Sequence, residues 1–169
     1  MKLLIPHEIS QQLVDALRQA GKREIGGILM GEHTEPDTFR VKEITIQHKG
    51  GTFAAFIRMV EDILGPLLAF FDTTKHDYKK FNYLGEWHSH HSFALVPSER
   101  DNMTMYNMVM DKQLGAHFVV LMLVKPDFHC QLEGSVTVYQ PNKSPFAGSF
   151  IQEKSSDHTN SLEHINLTV

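Results

Sequence analysis

The stretch Gly85-Glu86-Trp87-His88-Ser89-His90, continued by His91-Ser92-Phe93-Ala94-Leu95-Val96-Pro97-Ser98-Glu99-Arg100-Asp101, decides how the rest of the chain is read. Its first half has the composition of a strand, and its second half passes through a proline into an acidic, helix-starting segment. A pleated strand sends residues i, i+2 and i+4 to one face, so Glu86, His88 and His90 point one way while Trp87 and Ser89 point the other. Two imidazoles then converge, and Asp101, in the first turn of the following helix, is the natural third ligand of a metal ion. Two neutral imidazoles and one carboxylate leave one position of a tetrahedral zinc for water, the arrangement of a catalytic site; a structural site closes that position with protein. Zinc in such a site lowers the pKa of a bound water to about 7.

Hydrolysis of an amide also needs a general base to move the water's proton to the leaving amine, and a donor for the oxyanion. Ser98, one helical turn before Asp101, is placed to be the donor. The base should be a carboxylate close to the metal but not bound to it. Glu24, Glu32, Glu86 and Glu99 are candidates, and local geometry favours Glu86, which the pleat puts beside the histidines. Each part has a plainer reading. Ser98-x-x-Asp101 after a proline is an ordinary helix cap, His-x-His on a strand is often a solvated face, and Glu24 beside Lys22 and Arg23 resembles a turn residue. The conjunction is far more specific than its parts.

Outward from this stretch, strands and helices interleave. Ile9, Leu13, Ala16, Leu17 and Ala20 recur at helical spacing, with Ser10 as a cap and Gly21 as a stop, which predicts a helix over residues 7–20. Glu24 to Gly31 is an apolar run with three glycines, suited to a buried strand that another backbone approaches closely. A turn over Thr34 to Asp37 leads to a second strand. There the alternation of Phe39 and Val41 changes phase at Ile44 and Ile46, which implies a bulge near Glu43 and a hairpin. Ile57, Val60, Leu64, Leu67, Leu68 and Phe71 follow a helical period that Gly65-Pro66 interrupts, predicting a kinked helix or two short ones. Asn82 to His90 reads as a strand, Pro97 to Leu114 as a helix, His117 to Val124 as a fully buried strand and Gln131 to Tyr139 as another. In the helix, Met103 and Met110 are expected in the core and Met105 at the surface. The class is α/β or α+β with a mixed sheet.

At 169 residues and 41% apolar content the chain is long enough for a single domain with a full core. That domain is expected over residues 1–140. After Pro141 the composition turns polar and packing signals fade until Leu162, Ile165, Leu167 and Val169, so residues 141–169 are expected to be a loosely attached tail or a short docked element. A net charge of −4 gives no basic field, which sets aside nucleic acid and anionic membranes as main partners. No signal peptide or spanning segment is visible, so a cytoplasmic location is expected. The single cysteine, Cys130, excludes an internal disulfide and a cysteine-based zinc site. Of the eleven histidines, the pair at 88 and 90 has ligand spacing. No feature sets an oligomeric state.

Glu24, then His88-x-His90, seven residues from His91 to Pro97, Ser98 and Asp101 together resemble the JAMM signature of the MPN+ (Mov34/JAB) zinc metallopeptidases. Glu24 to Gly31 is similar to the glutamate-bearing strand of that family, and Gly85-Glu86-Trp87-His88 to the approach to the metal in its prokaryotic JAB branch. The resemblance covers about residues 1–140 and implies a single JAB/MPN domain with a mixed, mostly antiparallel sheet flanked by helices, cytidine-deaminase-like. It implies Zn2+ held by His88, His90 and Asp101, Glu24 as the base and Ser98 as the oxyanion donor, with Glu86 orienting a histidine from outside the ligand set. Family members often carry proline where this chain has His91, which makes a further imidazole contact or another loop path an alternative to a loop residue facing away. The chain has little room for an insertion between Asp101 and His117, so substrate grip is expected elsewhere, for instance in residues 48–80.

The resemblance further implies cleavage after the C-terminal tail of a ubiquitin-like protein, as a conjugate or a precursor. Compact prokaryotic versions are similar to the deconjugating peptidases of bacterial conjugation pathways, including antiphage operons such as CBASS. Rival readings are a peptidase that processes sulfur carriers of the ThiS or MoaD kind, a small-molecule metallohydrolase, and a non-catalytic MPN scaffold, which the complete set of five motif residues argues against.

Overall fold

The computed structural model describes residues 1–47, 60–91, 93–112, 114–127, 129 and 131–155. Ile57, Cys130 and the positions beyond 155, on which expectations also fell, lie outside them. Among the described residues the order is β1 (Lys2–Ile5), α1 (His7–Ala20), β2 (Gly26–Glu35), β3 (Thr38–Ile44), α2 (Val60–Thr73), β4 (Phe81–Ser89), α3 (Glu99–Met110), β5 (Val119–Pro126), β6 (Leu132–Tyr139) and β7 (Phe146–Gln152). The strands form one closed barrel in the order β1-β3-β2-β4-β5-β6-β7. Pairings of β2 with β3 and β4, and of β6 with β5 and β7, are antiparallel, whereas β1–β3, β4–β5 and the closing β1–β7 pair are parallel.

Two layers of side chains follow from the pleat. Along β5, Val120, Met122 and Val124 pack toward α1, with Leu13, Leu17, Leu29, Trp87 and Val136. Val119, Leu121 and Leu123 pack on the other face with Met105, Val109 and Tyr139. That double burial is why the strand is apolar without a break from Val119 to Val124. A third cluster joins Phe70 of α2 to Ile28 and Met30 of β2.

Helix α1 occupies the expected span and ends at Gly21, whose φ of 61° and N–H bond to the Leu17 carbonyl close it. Its start differs from expectation: the cap position is Pro6, and Ser10 lies buried inside the first turns. Proline there supplies a pre-set φ and a missing N–H that the helix start does not need. Strand β2 begins at Gly26, two residues after Glu24, and runs to Glu35, so the hairpin turn is only Pro36-Asp37, with Asp37 at φ 56°. The β3 bulge falls at Lys42, between the pairs Met30–Glu43 and Gly31–Val41. Helix α2 is a single element with Pro66 inside it, not two. Proline removes one backbone bond, and packing of Phe70 and Leu67 on the sheet holds the helix together across it. Helix α3 is shorter than expected, stopping at Asp111.

Two expectations change in the structure. Met105 is fully buried, whereas Met103 and Met110 are 62% and 40% exposed. Asp101 must face the sheet, and the residues one and two turns on, Met105 and Val109, share its face and are buried with it. The domain also does not end at residue 140. Residues 146–152 form β7, paired with β6 and with β1, and Arg40 grips the Glu153 carboxylate with contacts of 2.9 to 3.2 Å. Without β7 the barrel would expose two strand edges. Despite Phe146, Phe150 and Ile151, this strand buries few side chains and serves chiefly by closing the hydrogen-bond circuit.

Candidate metal centre

His88 ends β4 at a point where three strands are in register: it pairs with Gly26 of β2 and with Leu123 of β5. Gly26 is required for this approach, since a Cβ there would lie 2.6 Å from the Trp87 carbonyl oxygen and 3.0 Å from the His88 Cβ. The neighbouring residues lock the strand ends. Ser89 N–H donates to the Ile25 carbonyl at 2.8 Å, and Ile25 N–H donates to Ser89 Oγ at 3.0 Å. Trp87, on the opposite face, is fixed by its indole N–H on the Thr45 carbonyl at 2.9 Å.

His88 Nε2 lies 3.2 Å from His90 Nε2 and 3.7 Å from Asp101 Oδ1. The ligand atoms of these three residues all fall within 4.8 Å of one another. Neighbouring ligands on a tetrahedral zinc with bonds of about 2.0–2.1 Å stand about 3.3 Å apart, so the donor set and its spacing fit such an ion. The protonation states fit as well. His90 Nδ1 is 2.8 Å from the Ala94 carbonyl oxygen; a carbonyl can only accept, so Nδ1 carries the proton and Nε2 keeps its lone pair. Burial holds the His88 imidazole down to about 4, against the charge of Asp101 and with some help from His90, so it is neutral at physiological pH.

Asp101 divides its carboxylate between two tasks. Oδ2 accepts the Ser98 backbone N–H at 2.8 Å, while the Asp101 N–H donates to Ser98 Oγ at 3.1 Å, a reciprocal capping box. Oδ1 is left for the metal. Ser98 itself is exposed, and because its oxygen accepts in the cap, its hydroxyl proton remains free to donate elsewhere. Glu24, half-buried, sits next to Ile25, and continuing the β2–β4 register past Gly26–His88 brings position 24 opposite His90. The sequence separation of 64 residues between His88 and Glu24 therefore collapses to adjacent strand ends.

Glu86 does not orient a histidine. It is 1% exposed, its Oε1 accepts from the Tyr83 hydroxyl at 3.5 Å, and its Oε2 has no partner among the described residues. Burial, chiefly, pushes its carboxyl well above the usual range, opposed by the Tyr83 bond and reinforced by the Asp101 charge. Such a buried carboxyl, held toward its protonated form, is unsuited to be the base. His91 lies in the bend after β4, half-buried, and the ligand group among the described residues is His88, His90 and Asp101 without it. What residue types did not announce are the polar anchors around the ligands: a backbone carbonyl at Ala94, and the hydroxyls of Ser135 and Tyr139 on β6, which bond to the Leu95 carbonyl and to Asn102 Oδ1, both at 2.7 Å.

A barrel wrapped on one helix, with two histidines at a strand end facing an aspartate in the next helix, defines a JAB/MPN-type domain. The family model of prokaryotic homologs of the JAB domain matches residues 6–132, and the chain belongs to that family. Among solved structures, protein DSY2949 from Desulfitobacterium hafniense superposes with a TM-score of 0.56 at 15% identity, over 93% of this chain and 97% of that one. AF2198, a JAB1/MPN domain protein from Archaeoglobus fulgidus, gives a TM-score of 0.46 at 13% identity, over 89% of this chain and 98% of that one. No curated protein matches the sequence. No helix among the described residues is long and apolar enough to cross a membrane.

Proposed function

We propose that this protein is a JAMM-type zinc peptidase that cleaves the bond following the C-terminal tail of a ubiquitin-like protein, in a conjugate or a precursor. The observation that carries the reading is the convergence of His88, His90 and Asp101 on one point with Ser98 in the adjoining cap and Glu24 at the neighbouring strand end. His88, His90 and Asp101 would hold the zinc, which when bound supplies Lewis acidity and a water acidic enough to react at neutral pH. The Glu24 carboxylate takes the proton of the attacking water and delivers it to the leaving amine nitrogen as the C–N bond breaks. The Ser98 hydroxyl donates to the carbonyl oxygen as that oxygen becomes negative. Glu86, buried, bonded to Tyr83 and held toward its protonated form, stays out of the proton path.

An extended tail suits the approach to this site. The loop between His90 and Ser98 presents Phe93 and Val96, 66% and 64% exposed, with the Phe93 ring edge-on to His90 at 6.2 Å. Among the described residues the strands close into a barrel, and side-chain contacts with this apolar loop supply the grip. A bacterial conjugation pathway, including antiphage defence, is the setting we propose, in the cytoplasm.

The test is hydrolysis of a ubiquitin-like protein fused through its C-terminal tail to a reporter, taken from the same operon, by the zinc-loaded protein. Cleavage should be lost with a chelator and with Glu24→Gln, while Glu24→Gln retains stoichiometric zinc. Retained turnover by Glu24→Gln would reject Glu24 as the base. A wild-type protein that binds no zinc would instead favour a non-catalytic scaffold, and hydrolysis of sulfur-carrier precursors alone would redirect the substrate.

A further inference from the structure

We infer that Ser135 and Tyr139, on the outer face of β6, are positioning residues that set the geometry of the metal centre from a strand contributing no ligand. The inference rests on the metal-centre reading above. Ser135 pairs with Leu123 of β5, and Leu123 pairs with His88 of β4, so Ser135 stands in the same cross-sheet row as the first ligand, two strands away. That is about 10 Å at the ordinary strand spacing. The chain leaving His90 has crossed β5 by the time it reaches Leu95, because the Leu95 carbonyl accepts the Ser135 hydroxyl at 2.7 Å. The carbonyl one residue earlier, on Ala94, is the one that accepts from His90 Nδ1 at 2.8 Å. Ser135 thus pins the peptide next to the one that fixes the tautomer and ring direction of His90.

Tyr139 acts on the other side of the centre. Its hydroxyl, on a fully buried ring, donates to Asn102 Oδ1 at 2.7 Å, and Asn102 Nδ2 donates to the Ser98 carbonyl at 3.0 Å. Asn102 follows Asp101 in the chain, so this relay holds the helical turn that presents the Asp101 carboxylate. Two hydroxyls four residues apart on one strand therefore brace the two ends of the ligand-bearing segment. Both lie beyond residue 132, where the family match ends.

Losing such outer contacts costs metal sites affinity because the ligands must then be ordered on binding. The experiment is competition of the metal-stripped full chain against a chromophoric chelator for zinc, together with long-range ¹H–¹⁵N NMR of the His90 ring in the metal-free protein. Ser135→Ala and Tyr139→Phe should each weaken zinc binding by about 10- to 100-fold, and Ser135→Thr should stay within about threefold of wild type. The His90 ring should carry its proton on Nδ1 in wild type and show a tautomer mixture in Ser135→Ala. Wild-type affinity and an unchanged tautomer in Ser135→Ala would overturn the inference. If Ser135→Ala does not fold, Ser135→Cys, close in size with a weaker donor, carries the same comparison. A wild-type protein without zinc affinity would refute the metal-centre reading instead, and the His90 tautomer would still decide whether Ser135 acts on the ring.

Discussion

Ser98 and Asp101 hold each other by reciprocal backbone-to-side-chain bonds of 2.8 and 3.1 Å, and the oxygen of Asp101 not used in this exchange lies 3.7 Å from His88 Nε2. The helix cap and the candidate metal centre thus share one carboxylate, and substitutions can separate the two roles. Asp101→Asn keeps an oxygen for the Ser98 N–H, so the metal-free protein should unfold within about 1 kcal/mol of wild type, while zinc affinity falls by more than the roughly hundredfold that outer contacts cost. Asp101→Ala should lose both. Denaturant unfolding in chelator and zinc titration of the two variants check this; equal zinc affinity in Asp101→Asn and wild type would remove Asp101 from the ligand set.

Ser98→Ala removes the cap acceptor and the proposed oxyanion donor together. Stability should drop by about 0.5–2 kcal/mol, whereas turnover under fully folded conditions should fall by about 10²- to 10³-fold. A near-normal rate with the stability loss intact would leave Ser98 a cap and nothing more.

Glu86 gives a pH signature. Its folded-state carboxyl titrates well above the usual value because it is buried, while the unfolded chain releases that proton near pH 4.3. Across the interval between the two the folded state holds the extra proton, so stability falls as pH rises, by up to about 1.4 kcal/mol per unit. Glu86→Gln removes this term. In chelator-treated protein the variant should gain on wild type over the range above about pH 4.3 in which the folded carboxyl keeps its proton, read from denaturant midpoints. A constant difference across that range would mean that Glu86 is ionised in the folded protein.

The methionines of α3 offer a packing test. Met105→Ala should cost about 2–5 kcal/mol, since it empties a fully enclosed site. Met103→Ala and Met110→Ala, at exposed positions, should stay within about 0.5 kcal/mol of wild type. Thermal or urea unfolding of the three variants decides the orientation of the helix.

Ending the chain after Ser155 should preserve the cooperative unfolding transition, and ending it after Gln140 should abolish it. The second truncation removes β7 and leaves β1 and β6 unpaired along one side. A cooperative transition in the shorter chain would show that the barrel is stable without its closing strand.

Much of this was legible before any coordinates. Spacing placed α1 within its observed limits, the glycines of β2 signalled the close approach at Gly26, and the motif named the residues that converge. The failures share a cause. A helical period shows that one face is buried but not which, and Met103 and Met110 were assigned to the core because they lie on one face; the sheet-facing side is set by Asp101. For β7 the sequence left a loose tail and a docked element open, because the few apolar residues around Phe146 and Phe150 do not show that the strand closes the barrel by backbone pairing with β1 and β6. Gly65-Pro66 leaves a kinked helix and two short ones equally open in the sequence, because the packing of Phe70 on β2 that keeps one helix is a tertiary term.

The sequence by itself determined the ligand chemistry, because His88 and His90 two apart on a strand and Asp101 in a capped helical turn are local relations that pleat and helix geometry fix. Tertiary structure alone decided the rest. Register between β2 and β4 brings Gly26 to His88 and so puts Glu24 near the same strand end, burial pushes the Glu86 carboxyl up beside Tyr83, and β6 reaches the loop through Ser135. Each of these depends on which strands become neighbours, which is set by closure of the whole barrel and by no stretch of residues within it.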